Sequence, residues 1–148
     1  MAAAIKTISD ALIARLASQV AGLNSRTVAT FAGSLGEFVE EARNVPFVGV
    51  VLERLDYLEL NSDNSAARET LSFQLLAITQ DFRGRGYSIE NSYGLIDDVR
   101  DCLIGHNLDL EGLAPISITA VSRDGSSEKH GLAVYTVGLK TWQIRAGS

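Results

Sequence analysis

The chain has 148 residues, 46% of them hydrophobic, and a net charge of −5. That is the size and composition of one globular domain, here residues 1–148. The acidic balance excludes binding of DNA or RNA through clustered Lys and Arg, because such binding draws most of its strength from basic residues.

The single cysteine, Cys102, excludes an internal disulfide, and one cysteine with two distant histidines provides no metal site of recognisable spacing. No apolar window reaches the ~18 residues of a membrane helix. The first residues also lack the apolar stretch of a secretory signal, so we expect a cytosolic product without membrane contact.

The N-terminal third of the sequence predicts a helix, a short strand and a second helix. Apolar residues recur at three- and four-residue steps between about residues 4 and 20, which is the period of one helix face. The β-branched run Thr27–Phe31 predicts a brief strand. Ser34 and Glu37 have the spacing of a capping box, so a short helix should follow through about Arg43.

The middle of the sequence predicts a long hairpin. Phe47–Leu60 is dense in β-branched and aromatic residues, as expected of a central strand. The polar segment Asn61–Glu69 predicts a mobile tip, and Thr70–Gln80 predicts the returning strand. The apolar residues of that second strand that should share one face are Leu71, Phe73, Leu75 and Ala77.

An amphipathic run in the following segment predicts a further helix. Asn91 and Ser92 are alternative N-caps. Asp97 and Asp98 would then lie in the first turns, where the helix dipole favours acidic side chains. Gly105 follows as a left-handed C-cap. The apolar stripe of this helix should consist of Tyr93, Leu95, Ile96, Val99, Cys102 and Leu103.

The C-terminal residues predict a second hairpin, with strands at Ile116–Ser122 and Leu132–Ile144. Trp142 should be a core or interface residue rather than a platform for stacking bases. The residues that alternate in step with Trp142 are Leu132, Val134 and Ile144. Antiparallel pairs interrupted by single helices are typical of an α+β fold. We therefore expect a mixed or antiparallel sheet of about four to five strands, covered by helices on one face.

The glycines of the stretch Gly84–Ile89 raise the question of phosphate binding. A dinucleotide fingerprint needs a third glycine where this chain has Ile89, and no Gly-Lys-Ser/Thr ending of a P-loop occurs. We therefore interpret the stretch as a hinge that leads into a packing helix. Arg83, Arg85 and Tyr87 are candidates for contacts between subunits.

The remaining reactive side chains form no catalytic pattern. Ser34 lacks the first glycine of a nucleophile elbow and already has a capping role. His106 and His130 have no carboxylate or cysteine partner at motif spacing, and Cys102 should be a core residue whose thiol does not ionise readily. Adjacent carboxylates such as Asp97 and Asp98 point about 100° apart on a helix and cannot share a proton. We expect no catalytic, cofactor-binding or metal-binding residues.

Three segments of the second half carry a family resemblance. YGLIDDVR at Tyr93–Arg100, LIGH at Leu103–His106 and GLAVY at Gly131–Tyr135 resemble the small neck protein of Mu-like phages and prophages. That family is similar in layout to the tail terminators of long-tailed phages. The resemblance implies an α+β subunit of a hexameric ring that closes the head-proximal end of the tail tube. It further implies a virion location, the tail tube protein and a head-completion or connector protein as partners, and DNA that passes through without specific binding.

Two other interpretations stay open at the level of sequence. One is a small cytosolic α+β enzyme or ligand-binding domain, with a pocket between helices and sheet near Arg83, Arg85 and Tyr87. The other is a soluble prophage regulator that acts by protein contact. A subunit of an assembly should form a ring or associate reversibly, whereas the enzyme or binding domain should be a monomer that is stabilised by a small ligand.

Overall fold

The computed structural model describes residues 2–30, 46–63, 65–80, 85–124 and 132–146. The elements, in chain order, are α1 (Ile5–Gln19), β1 (Val28–Thr30), β2 (Phe47–Glu59), β3 (Ala66–Gln80), α2 (Arg85–Leu103), β4 (Ser117–Arg123) and β5 (Leu132–Ala146). Within the described residues, two helices and a five-stranded mixed sheet in the order β1-β2-β3-β5-β4 confirm the predicted α+β class. The predicted helix from Ser34 to Arg43 lies outside the described residues, as do Phe31, Arg83 and His130.

Three long strands, β2, β3 and β5, form the antiparallel centre of the sheet, and they confirm the predicted first hairpin. β3 is the middle strand and pairs with β5 along its whole length, from Ala66 opposite Ala146 to Gln80 opposite Leu132. At one edge, β1 adds a short parallel pairing to β2. At the other edge, β4 pairs with β5 and confirms the second hairpin.

The main core lies between the helices and one face of the sheet, which we call the inner face. α1 contributes one fully buried side of its helix, as its three- and four-residue period predicts. The predicted shared face of β3 is confirmed, because all four of its apolar residues are buried within this core. Core residues of the three long strands and of α1 include Ile8, Leu12, Leu16, Val48, Val50, Leu71, Phe73, Leu75, Val137 and Leu139.

The first hairpin has a shorter turn than the sequence predicts. Ala66–Glu69 belongs to β3 and is not part of the polar turn, because all four residues pair with β5 and those from Ala67 onward also pair with β2. The backbone amide of Leu60 donates to the carbonyl of Ala66 at 3.1 Å and closes the turn. Within it, the side-chain oxygen of Asn61 accepts a hydrogen bond from the amide of Ser65 at 3.0 Å. Two flanking strands thus outweigh the low strand propensity of these polar residues.

The second helix begins several residues earlier than the sequence predicts. α2 starts at Arg85, so Asn91 and Ser92 lie inside the helix and are not N-caps. Asp97 and Asp98 lie in its interior and not in its first turns. Ser92 is fully buried, and its hydroxyl lies 2.6 Å from that of Thr79 on β3. Gly105 has a φ of +76°, which confirms the predicted left-handed position after the helix.

The buried hydroxyl of Ser92 gives a test of how α2 is attached to the sheet. Ser92→Ala should lower the free energy of unfolding by about 1–2 kcal/mol, because it removes a buried hydrogen bond that joins helix and strand. The same substitution at the exposed residue Ser18 of α1 is the control and should be neutral or slightly stabilising, since alanine favours helix. Urea unfolding measures both variants. An equal effect at the two sites would contradict the buried contact.

Candidate assembly surfaces

Two of the three residues predicted to contact another subunit lie in a helix and not in a hinge before it. Arg83 lies outside the described residues, whereas Arg85 and Tyr87 lie in the first turns of α2. The interpretation of Gly84–Ile89 as a hinge is therefore wrong from Arg85 onward. Glycine inside a helix costs only about 1 kcal/mol relative to alanine, and the packing of α2 on the sheet can outweigh that cost. The Tyr87 side chain is exposed on this helix.

A polar network lies on the inner face at one end of the three long strands. We call this end the sheet tip; it consists of Tyr57–Glu59, Ala66–Glu69 and Trp142–Ala146. At its centre Glu69 is only 2% exposed. The Tyr57 hydroxyl donates to Glu69 Oε2 at 2.8 Å, and the Gln143 amide nitrogen Nε2 donates to Glu69 Oε1 at 2.9 Å. Arg145 Nε forms an ion pair with Glu69 Oε2 at 3.1 Å. The buried carboxylate is thus fully compensated.

The same network holds the beginning of the described chain against the tip. The backbone amide of Ala3 donates to Gln143 Oε1 at 2.9 Å, and Gln143 Nε2 donates to the Ala3 carbonyl at the same distance. Arg145 donates a further hydrogen bond to that carbonyl at 3.2 Å. These bonds join the start of α1 to the end of β5. The sheet tip is thereby tied to the chain segment that precedes α1.

The surroundings of Glu69 shift the pKa values of two side chains. Desolvation acts to raise the pKa of the Glu69 carboxyl, but hydrogen bonds from Gln143, Tyr57 and Arg145 and the charge of Arg145 outweigh it, so its pKa is lowered. The hydrogen bond to Glu69 is the largest cause that raises the pKa of Tyr57. Glu69 therefore stays ionised at neutral pH, and its hydrogen bonds with Gln143, Tyr57 and Arg145 are those of a structural residue.

The opposite, outer face of the sheet tip exposes apolar side chains around one cation. Leu58, Arg68 and Ile144 lie side by side across the three strands. Leu58 is 61% exposed, Ile144 44% and Trp142 36%. We call Leu58, Arg68, Trp142 and Ile144 the tip patch. The sequence predicts that Trp142 is either a core or an interface residue, and its exposure excludes the core. Apolar residues clustered at the surface are typical of interaction sites.

Arg68 is the charged centre of the tip patch. Its guanidinium carbon lies 4.2 Å from the centre of the Trp142 ring, which is a cation–π contact. Among the described residues, none accepts a hydrogen bond from Arg68 Nε, which is buried. No carboxylate of the described chain forms an ion pair with Arg68, whereas neighbouring Arg54 pairs with Asp56 at 2.9 Å. The exposed side chain of Lys140 adds a second positive charge on the same face.

A second exposed surface lies on α2, opposite the side that packs on the sheet. Helical spacing places Glu90, Tyr93, Asp97 and Asp101 along one line of α2, and Ile104, the first residue after the helix, continues that line. We call these five residues the acidic stripe. Tyr93 is 54% exposed, so its predicted place in the apolar core is wrong; its ring meets that of Tyr135 edge-on, with centroids 6.5 Å apart. Asp97 forms an ion pair with Arg100. The stripe thus combines acidic and apolar side chains.

The remaining residues of the predicted apolar stripe are buried, including Cys102 as expected. Desolvation is the main cause that raises the pKa of the Cys102 thiol, and the charge of Arg15 opposes it. Arg15 Nε donates to the carbonyl of Cys102 at 2.7 Å and joins the two helices. The thiol is therefore a poor nucleophile, as the sequence predicts.

A cleft of about 310 Å³ lies between α1 and the loop after α2 and contains a histidine and a serine in its lining. His106 lines it, with Nε2 3.9 Å from Asp109 Oδ1, a carboxylate that is nevertheless highly exposed. His106 Nδ1 accepts a hydrogen bond from the amide of Leu108 at 2.9 Å. The hydroxyl of Ser18, also in the lining, bonds to the carbonyl of Arg15 at 3.3 Å and not to the histidine. The cleft therefore lacks the nucleophile–base contact of a hydrolase.

In the described ranges of the chain, no group of three or more His, Cys, Asp or Glu side chains could hold a metal ion. No helix in those ranges is long and apolar enough to span a membrane.

Comparison with known proteins identifies a shared fold. No family model matches the chain, and no curated protein matches it. Among solved structures, the chain is similar to one from a structure described as the virion of a native gene transfer agent (GTA) particle. The likeness has a TM-score of 0.60 at 13% sequence identity, and it covers 90% of this chain and 84% of the other. At this identity the likeness shows a common α+β fold.

Proposed function

We propose that this chain is a virion structural protein that serves as a ring subunit of the neck, a tail terminator. In that role it caps the head-proximal end of the tail tube and joins the tail to the head. The observation that carries the proposal is the shared fold over 90% of the chain with a protein of a gene transfer agent virion. The resemblance of Tyr93–Arg100 and its neighbouring segments to the phage neck protein supports the specific position.

The exposed surfaces of the subunit suit repeated assembly. The edge strand β4 has six of its seven residues exposed, and an exposed edge is a template for pairing with another chain. The tip patch adds exposed apolar side chains around a cation that has no carboxylate partner within the described chain. A subunit with several such surfaces is suited to bury them against copies of itself, against the tail tube protein and against a head-completion protein.

The net negative charge of the chain suits a subunit of a ring through which DNA passes. The net charge is −5, and the basic side chains of the tip patch are few and interspersed with apolar residues. A pore that DNA must cross should repel phosphate or bind it weakly, since clustered Lys and Arg would hold the duplex in place. A ring of such subunits therefore lets DNA pass without specific binding.

Deletion of the gene tests the proposal in cells that produce the particle. Negative-stain images should then show tails of abnormal or variable length, together with heads that carry no tail. Expression of the intact chain from a second copy of the gene should restore uniform, attached tails. Normal tails joined to heads in the deletion strain would overturn the proposal.

A further inference from the structure

We propose that the acidic stripe of one subunit docks on the tip patch of the next copy of this chain. The inference rests on the proposed function, because it names the two surfaces through which neighbouring ring subunits meet. Its core is the approach of Asp101 or Glu90 of one copy to Arg68 of the other, with Tyr93 and Ile104 covering the apolar side chains of the patch.

The two surfaces are complementary in charge and in polarity. The tip patch and its neighbour Lys140 carry two positive charges, whereas the stripe carries three carboxylates, of which only Asp97 has an ion-pair partner among the described residues. Both surfaces also expose large apolar side chains, with Trp142 on one and Tyr93 on the other. Complementary potentials select the partner and the register, and the apolar contact supplies the affinity.

Arg68 is prepared to receive a carboxylate. Its guanidinium is stacked on the Trp142 ring, so little conformational freedom remains to be lost when a partner binds. A carboxylate that reaches this plane forms charge-assisted hydrogen bonds, which are about twice as strong as bonds between neutral groups. The apolar neighbours Leu58 and Ile144 would exclude water around the pair on docking.

The positions of the surfaces favour a head-to-tail contact between copies. α2 packs on the inner face with the carboxylates of the stripe directed away from the sheet and Tyr93 at the side of the stripe that meets Tyr135 of β5, whereas the tip patch lies on the outer face. Contact of the patch with itself would bring Arg68 and Lys140 of two copies together, and like charges at an interface repel. Contact between two different surfaces that point in opposite directions instead repeats from copy to copy and closes into a ring when the rotation allows.

Charge reversal tests the pairing. Arg68→Glu and Asp101→Arg, each alone, should raise the protein concentration needed for half-maximal assembly at least about tenfold, because each places like charges in the contact. The double variant Arg68→Glu/Asp101→Arg should recover most of the lost assembly, since the two charges attract again in reversed order. Light scattering over a concentration series measures assembly, and urea unfolding verifies that every variant is folded.

Matched controls carry the same charge changes at exposed residues outside both surfaces. Arg26→Glu, in the loop after α1, and Glu111→Arg, in the loop before β4, should assemble like the wild-type chain. An equal mixture of the two single reversals should also recover assembly, with the two variants alternating, because the intact stripe of one meets the intact patch of the other and the two reversed surfaces attract each other as well.

Several outcomes would overturn the inference. One is that the single-reversal variants assemble like the wild type. Another is that the folded single-reversal variants fail to assemble and the double variant does not recover assembly. A third is that the wild-type chain stays monomeric up to its solubility limit. Reversals that abolish binding to tail tubes without changing self-association would assign the patch to another partner and also overturn it. None of these results would contradict the proposed role in the neck, which the deletion experiment tests. Normal tails in the deletion strain would contradict that role, whatever the charge-reversal variants show.

Discussion

Phe73→Ala is expected to lower the free energy of unfolding by about 3–5 kcal/mol, because it removes a large ring from the centre of the core. Phe73 is 1% exposed, lies on the central strand β3 and faces the helices from the inner face. Its neighbours across the sheet, Leu52 beside a β-bulge of β2 and Leu139 on β5, are held by strand pairing and can fill only part of the space that the ring leaves. Since domains of this size are stable by only about 5–15 kcal/mol, the variant should be close to unfolding at physiological temperature.

Trp142→Ala is the informative comparison for Phe73→Ala. It removes a larger ring, but one that is exposed on the outer face, so the free energy of unfolding of the monomer should fall by only about 1 kcal/mol, including the lost contact with Arg68. Denaturant unfolding at low protein concentration measures both variants. A loss at Trp142 as large as that at Phe73 would contradict the assignment of the tip patch to the surface.

Glu69→Ala is expected to lower the free energy of unfolding by about 3 kcal/mol. The substitution removes the acceptor of three hydrogen bonds and leaves Gln143 and Arg145 without their shared carboxylate. Glu69→Gln keeps the shape but removes the charge, so a loss of about 1–2 kcal/mol should remain. Chemical unfolding at neutral pH should rank the chains as wild type, then glutamine, then alanine. A glutamine variant as unstable as the alanine variant would contradict the role assigned to shape and hydrogen bonding.

The dependence on pH follows from the lowered pKa of Glu69. A carboxyl group whose pKa is lower in the folded than in the unfolded chain binds fewer protons when folded, so its contribution is fully present above the ordinary value of 4.5 and disappears as the pH falls through the folded pKa. The advantage of the wild-type chain over Glu69→Gln should therefore shrink below pH 4.5. Unfolding curves of the two chains over that range measure the difference, and an advantage that grows on acidification would contradict the sign.

Much of the fold follows from short-range patterns in the sequence. Each of three features predicts a local geometry that one segment can adopt by itself. They are the three- and four-residue period of α1, the glycine at position 105, and the alternation of Leu71, Phe73, Leu75 and Ala77. The two hairpins follow because polar linkers join neighbouring apolar runs. These features fix the α+β class.

The boundaries that differ from the sequence expectation depend on partners distant in the chain. Ala66–Glu69 has the composition of a turn, and it becomes strand because β5 extends far enough to pair with it. Arg85–Asn91 has glycine and no clear apolar period, and it becomes helix because the following turns are anchored by buried residues such as Ser92. Tertiary packing outweighs local propensity at both places.

The candidate surfaces were harder to predict than the fold. Alternation places Trp142 with Ile144, but it cannot say which face of the sheet the helices cover, because the beginning of β5 is apolar on both faces. Glu69 and Gln143 are polar residues that are nevertheless buried, and they form a hydrogen bond with each other between β3 and β5. That pairing depends on register, and no single segment of sequence contains it.

Quantitative mass spectrometry of purified particles, from cells that encode this chain, measures the central claim most directly. A structural subunit of a closed ring should copurify with the particles through every step, at a fixed number of copies that for a hexameric ring is about six per particle. Antibody labelling of the same particles should mark one site, at the junction of head and tail. A chain that is abundant in the cell lysate and missing from the purified particles would contradict the claim.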